Sequence, residues 1–94
     1  MPDRNGTADL AGLLRRCADG DEEALAALYD ASCARVYRLS LLLTGHPEPA
    51  AHLCRITYLR VWREAGGYDA RSGSAWAWLL ARVHDVDREL AAAA

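Results

Sequence analysis

Apolar residues recur three and four apart along most of this chain, and the interruptions fall at glycine, proline and short polar runs. Leu10, Leu13, Leu14 and Cys17 follow Asp9 and stop at Gly20, which predicts a first helix over about 9–18. Asp21 then stands where an N-cap belongs, with Glu22 and Glu23 in the first turn, where the helix dipole favours negative charge. Leu25, Leu28, Tyr29, Val36, Leu39 and Leu43 keep the helical spacing, so a second helix is expected over about 21–43. Its end thickens to Leu39, Leu41, Leu42 and Leu43, and a helix apolar nearly all round is expected to be central.

Thr44-Gly45-His46-Pro47 reads as a stop and restart: Gly45 ends helix two, and Pro47 suits a first turn, where its missing N–H would have no partner. His46 is then the N-cap, and a poor one. Helix three, about 47–65, carries Ala50, Leu53, Cys54, Thr57, Tyr58, Val61, Trp62 and Ala65 on one face and Arg55, Arg60, Arg63 and Glu64 on the other. Gly66-Gly67 closes it, Tyr68 to Gly73 is a polar loop, and Ser72 or Ser74 can cap helix four, about 74–90. The apolar face of that helix is Trp76, Leu79, Leu80, Val83, Val86 and Leu90. Trp76 and Trp78 cannot share a face, so Trp76 is expected mostly buried with Trp78 at the rim, and Trp62 is expected in the core. No strand-period alternation and no internal repeat appears. The expected fold class is all-α, a compact bundle of four helices in one domain over 9–90, with a flexible start at 1–8 and a frayed tail at 91–94.

Composition adds limits. A chain of 94 residues that is 52% hydrophobic and 26% charged can bury a small core without help from metal or disulfide. The net charge is only -2, which does not advertise a nucleic-acid binder, but its distribution is uneven. Acids dominate residues 1–34, and arginines outnumber acids in residues 35–94, so an anionic partner would meet the later helices. Cys17, Cys33 and Cys54 are odd in number and far apart, which points to a reducing interior rather than a disulfide framework. Met1 to Ala11 has neither the basic start nor the apolar run of a signal peptide, and no stretch is long and apolar enough to span a membrane, so a cytoplasmic protein is expected.

The candidate chemistry is sparse. His52 and Cys54, with Cys33 or His46, lack the close pairing of a structural zinc site, and side chains two apart on a helix diverge by about 200°. Asp21, Glu22 and Glu23 are explained as a capped first turn, and Asp85 and Asp87 beside His84 as a polar helix end. No nucleophile elbow, phosphate-cradling glycine loop or paired-carboxylate cleft is present, so neither catalytic residues nor a cofactor or metal is expected.

The order of these signals resembles the region-2 domain of extracytoplasmic-function (ECF) bacterial sigma factors. The matching stretches are Gly20 to Asp30, Val36-Tyr37, Gly45-His46-Pro47, Tyr58 to Arg63, and Tyr68 to Leu80, together covering about residues 10–90. The resemblance implies a non-catalytic adaptor of transcription initiation. Its third helix would dock on the clamp helices of the RNA polymerase largest subunit, through Ala51, His52, Arg55, Ile56, Arg60 and Arg63 here. Its loop and fourth helix would hold an unstacked base of minus-ten promoter DNA, through Tyr68, Arg71, Ser72, Gly73, Trp76, Arg82, His84 and Arg88.

The chain also departs from that pattern. Where the family usually has an acidic cluster followed by Gln-Glu on helix three, this sequence has Ala51, His52, Arg55 and Ile56. After His84 about three residues are missing, the usual paired basic residues among them, and Asp85 and Asp87 appear. The resemblance covers region 2 and nothing of region 4, the second DNA-binding domain. A second expectation therefore stands beside the first: a helical module that kept the bundle and turned to an anti-sigma factor or to self-association. A third is a piece of a longer factor.

Overall fold

A computed structural model describes residues 9–94. It contains α1 (Leu10–Ala18), α2 (Glu22–Thr44), α3 (Pro47–Glu64) and α4 (Ala75–Ala93), with a single 3-10 turn, Ala65–Gly67, closing α3. No strand occurs among the described residues. The start expected to be flexible, 1–8, lies outside them.

The helix ends follow from local chemistry. The Asp9 carboxylate accepts from Gly12 N–H at 2.9 Å, and Asp21 accepts from the Glu23 and Ala24 N–H groups at 3.0 and 3.3 Å, meeting donors that a helix start leaves unpaired. Arg16 reaches across the α1–α2 corner to Asp21 at 2.9 Å. Gly45 ends α2 at φ 81°, a left-handed backbone that glycine adopts without a Cβ penalty, and its N–H donates to Leu41 O at 2.8 Å. His46 caps α3 without a side-chain bond, and Ser74 caps α4 by accepting from Ala77 N–H at 3.0 Å.

The core is made where the helix faces meet. Leu14, Leu28, Val36, Leu53, Val61, Leu79 and Val83 are fully buried. The buried residues of α2 fall at every fourth position, Ala24, Leu28, Ser32, Val36 and Ser40. Each step of four turns about 40° beyond a full circle, so this stripe winds around α2 and touches different neighbours along its length. The two serines are satisfied internally: Ser32 Oγ bonds Leu28 O at 2.6 Å, and Ser40 Oγ bonds Val36 O at 2.8 Å. Ser32 also meets the Tyr58 hydroxyl at 2.6 Å, and Cys54 donates to Ser40 at 3.4 Å, so small polar residues floor the seam between α2 and α3. Burial pushes the Tyr58 phenol well above its ordinary pKa, against the lowering effect of the Ser32 bond. The hydroxyl of fully buried Thr57 has no hydrogen-bond partner.

Several expectations are corrected. α4 runs to Ala93 instead of stopping near 90, because alanine is the strongest helix former and the end is tied to α3 through Glu89. The leucine-rich end of α2 is not wrapped on all sides: Leu42 is 78% exposed, while Leu39, Leu41 and Leu43 are half-buried. Trp62 is half-buried at the edge of the core. Trp76 and Trp78 are both half-buried, because they lie on opposite flanks of α4 and each is covered by an arginine, Arg35 over Trp76 and Arg82 over Trp78.

Candidate functional site

The connection from Tyr68 to Ser74 is held by its own side chains. The Tyr68 ring packs edge-on against Trp78 with centroids 5.9 Å apart, and its hydroxyl donates to Gly73 O at 3.2 Å. Asp69 Oδ1 accepts from the Arg71 N–H at 2.9 Å and from its Nε at 3.2 Å, and Ser72 Oγ donates to Asp69 O at 2.9 Å. The Arg71 bonds hold the Asp69 carboxyl below the usual range. Arg71, Ser72 and Gly73 are thereby exposed on a braced arch, with Tyr68 as its half-buried foot.

The residues anticipated on α4 are not gathered on one face. Trp76 lies on the flank towards α2, under Arg35. Arg82 lies on the other flank, its guanidinium 4.7 Å from the Trp78 ring centroid, bonded to Asp85 at 2.9 Å and near Glu64 at 4.0 Å. Arg88 also grips Asp85, while His84 is exposed. Burial would raise the Asp85 carboxyl, but Arg82 and Arg88 outweigh it and hold it below the ordinary range. Arg82 and Arg88, anticipated as phosphate contacts, thus share one internal carboxylate.

On α3 the outward stripe consists of Glu48, His52, Arg55, Leu59 and Arg63, all exposed and at helical spacing. Ala51 is half-buried beside a groove between α2 and α3, which is also lined by Tyr29, Cys33, Tyr37, Cys54 and Arg55. Ile56 is half-buried against the core. Arg60 leaves the stripe: it bonds Glu89 on α4 and Glu64, and its side chain is only 15% exposed. One turn of helix separates its angle from that of Arg63 by about 60°, enough to point it at α4.

Sequence reasoning passed over three exposed residues. Leu59, 61% exposed, sits in the middle of the α3 stripe. Arg35 and Arg38 stand on α2 next to α4. Leu59 breaks the apolar spacing of α3, and that was a readable signal; the arginines of α2 gave none, since only the bundle shows what they face. Among the described residues no group of three or more His, Cys, Asp or Glu is placed to hold a metal, and no helix is long and apolar enough to cross a membrane.

The profile of the family described as Sigma-70 region 2 matches residues 28–86, more than half of the chain. The chain belongs to the sigma-70 region 2 family. The matched span runs from within α2 through α3, the arch and most of α4, so every candidate residue falls inside the region 2 match except Arg88. Curated relatives agree. The chain is 46% identical over 84 residues to the ECF RNA polymerase sigma factor SigK of Mycolicibacterium vanbaalenii, covering 87% of this chain and 43% of that protein. It is 43% identical over 82 residues to the SigK of Mycobacterium ulcerans, covering 85% and 44%, and 42% identical over 87 residues to that of Mycobacterium tuberculosis, covering 87% and 45%. The chain thus spans less than half the length of these relatives. No solved structure matches.

Proposed function

We infer that this chain is a sigma-like domain of transcription initiation. It docks on RNA polymerase with the outward stripe of α3, on the clamp of the largest subunit, and contacts the non-template strand of minus-ten DNA with the Tyr68–Ser74 arch and the start of α4. The observation that carries this reading is the braced arch in a chain of the region 2 family. Tyr68 and Asp69 spend their polar groups inside the loop, and Arg71, Ser72 and Gly73 face outward just ahead of Trp76 in the first turn of α4. A preformed loop with a cation, a small hydroxyl and a nearby aromatic face suits an unstacked base and its phosphate, because little ordering remains to be done on binding.

A second reading, a helical interaction module without promoter recognition, draws support from one feature: Asp85 occupies the guanidinium groups of Arg82 and Arg88. The two are separated by titrating a labelled single-stranded minus-ten oligonucleotide at low salt. The first reading requires binding that weakens as salt rises and is reduced by Arg71→Gln. An oligonucleotide left unbound removes the promoter contact, and loss of polymerase binding as well leaves the second reading.

A further inference from the structure

The ion pairs divide the arginines into two sets. Arg16, Arg60, Arg71, Arg82 and Arg88 each hold a carboxylate. Arg15, Arg35, Arg38, Arg55 and Arg63 are exposed and hold none among the described residues, and of these Arg35 and Arg38 stand together on α2. Three residues apart on a helix, they are neighbours on its surface. Both border a cleft of about 170 Å³ between α2 and α4, lined otherwise by Leu39, Leu42 and Leu80. Just beyond it the Arg35 guanidinium lies 4.1 Å from the centroid of the Trp76 ring.

We propose that this α2/α4 cleft is a second contact for single-stranded nucleic acid, in which Arg35 and Arg38 hold phosphates and a base stacks at the Arg35–Trp76 pair. The inference rests on the DNA-binding reading above and extends its path from α4 onto α2. Arg82 and Arg88, folded onto Asp85, have less left for phosphate than the 91%-exposed Arg71 of the arch, so beyond the arch the strand's charge is met where guanidinium groups hold no carboxylate. The cleft supplies two of them and no lining acid, which favours a polyanion. Its leucine floor and the adjoining aromatic and guanidinium planes accept the flat apolar face of any base, the mixture that binds single strands without reading their sequence.

The test is a salt titration of a fluorescent single-stranded oligonucleotide against the 94-residue chain and three variants: Arg35→Gln, Arg38→Gln and, as a charge-matched control, Arg15→Gln on α1. Thermal melting of each variant checks the fold. A lost phosphate contact on a single strand lowers the log–log salt slope by about 0.7, or about fivefold in affinity at 0.1 M salt. That loss is expected for Arg35→Gln and Arg38→Gln and absent for Arg15→Gln. Arg38→Gln carries the result if Arg35→Gln disturbs Trp76. Equal losses in all three variants mean bulk charge and overturn the proposal. Unchanged slopes in Arg35→Gln and Arg38→Gln, with Arg71→Gln still weakening binding, overturn it while leaving the DNA-binding reading intact. Failure of the unaltered chain to bind removes both. Weakened polymerase binding with an unchanged oligonucleotide slope makes the cleft a protein contact and also overturns the proposal.

Discussion

Two arginines three residues apart on α3 differ in what they have left to offer. Arg60 is tied to Glu89 and Glu64 and largely covered, whereas Arg63 is exposed and holds no carboxylate among the described residues. The same contrast separates larger regions. The outward stripe of α3 presents His52, Arg55, Leu59 and Arg63 to solvent, while the far half of α4 folds Arg82 and Arg88 onto Asp85. Residue type alone does not make a contact site; a cation that the fold has both paired and covered, as it has Arg60, has less to offer a partner.

The sharpest way to break this comparison is to cut leucines on the two sides of α3. Leu53→Ala should cost about 2–5 kcal/mol of stability, as large-to-small changes in a packed core do, whereas Leu59→Ala should change it by less than about 0.5 kcal/mol. Urea unfolding of both variants checks this, and similar losses would erase the distinction between faces. Next in size is Thr57→Val, which keeps the shape of the side chain and removes a buried hydroxyl without a partner. It should raise stability by about 1 kcal/mol in the same assay, and a loss would show that the hydroxyl is satisfied in solution.

A smaller effect is expected at α4. Asp85→Asn should release Arg82 and Arg88, raise affinity for a single-stranded oligonucleotide about threefold and steepen its salt dependence. No change in slope would mean that those guanidinium groups never reach phosphate. The least effect concerns pH. Arg16 lowers the Asp21 carboxyl, Arg71 that of Asp69 and Arg60 that of Glu89; at Asp85 burial opposes, and the arginines prevail. Groups with depressed folded pKa values contribute stability that is present above the unfolded carboxylate pKa, about 4, and lost as pH falls through the lower folded values. The urea midpoint should therefore be flat from about pH 7 to 5 and decline below about pH 4, more gently in Asp85→Asn. A midpoint that rises on acidification would contradict the ion-pair assignments.

Much of the fold was legible because its signals are local. Asp21, Gly45, Pro47 and Ser74 mark helix ends by their own backbone chemistry, and the apolar spacing named Leu14, Leu28, Leu53 and Leu79 as inward residues. What depends on the neighbouring helix was not. Ser32 and Ser40 fall outside the apolar spacing of α2, yet they are buried, each bonding its own helix where α3 approaches. Arg60 reads as part of an outward stripe, but Glu89, twenty-nine residues later, turns it inward. In the candidate site the arch was readable as a polar loop between glycines, whereas the capture of Arg82 and Arg88 by Asp85, and the freedom of Arg35 and Arg38, exist only in the assembled bundle.

The central claim, that the outward stripe of α3 docks on RNA polymerase, is tested most directly by titrating the labelled chain with purified bacterial RNA polymerase core. The unaltered chain should bind, His52→Asp/Arg55→Gln should bind roughly tenfold tighter by restoring the charge pattern of the family, and Leu59→Glu should bind more weakly with its melting temperature unchanged. Equal affinity in all three, or no binding by any of them, would contradict it.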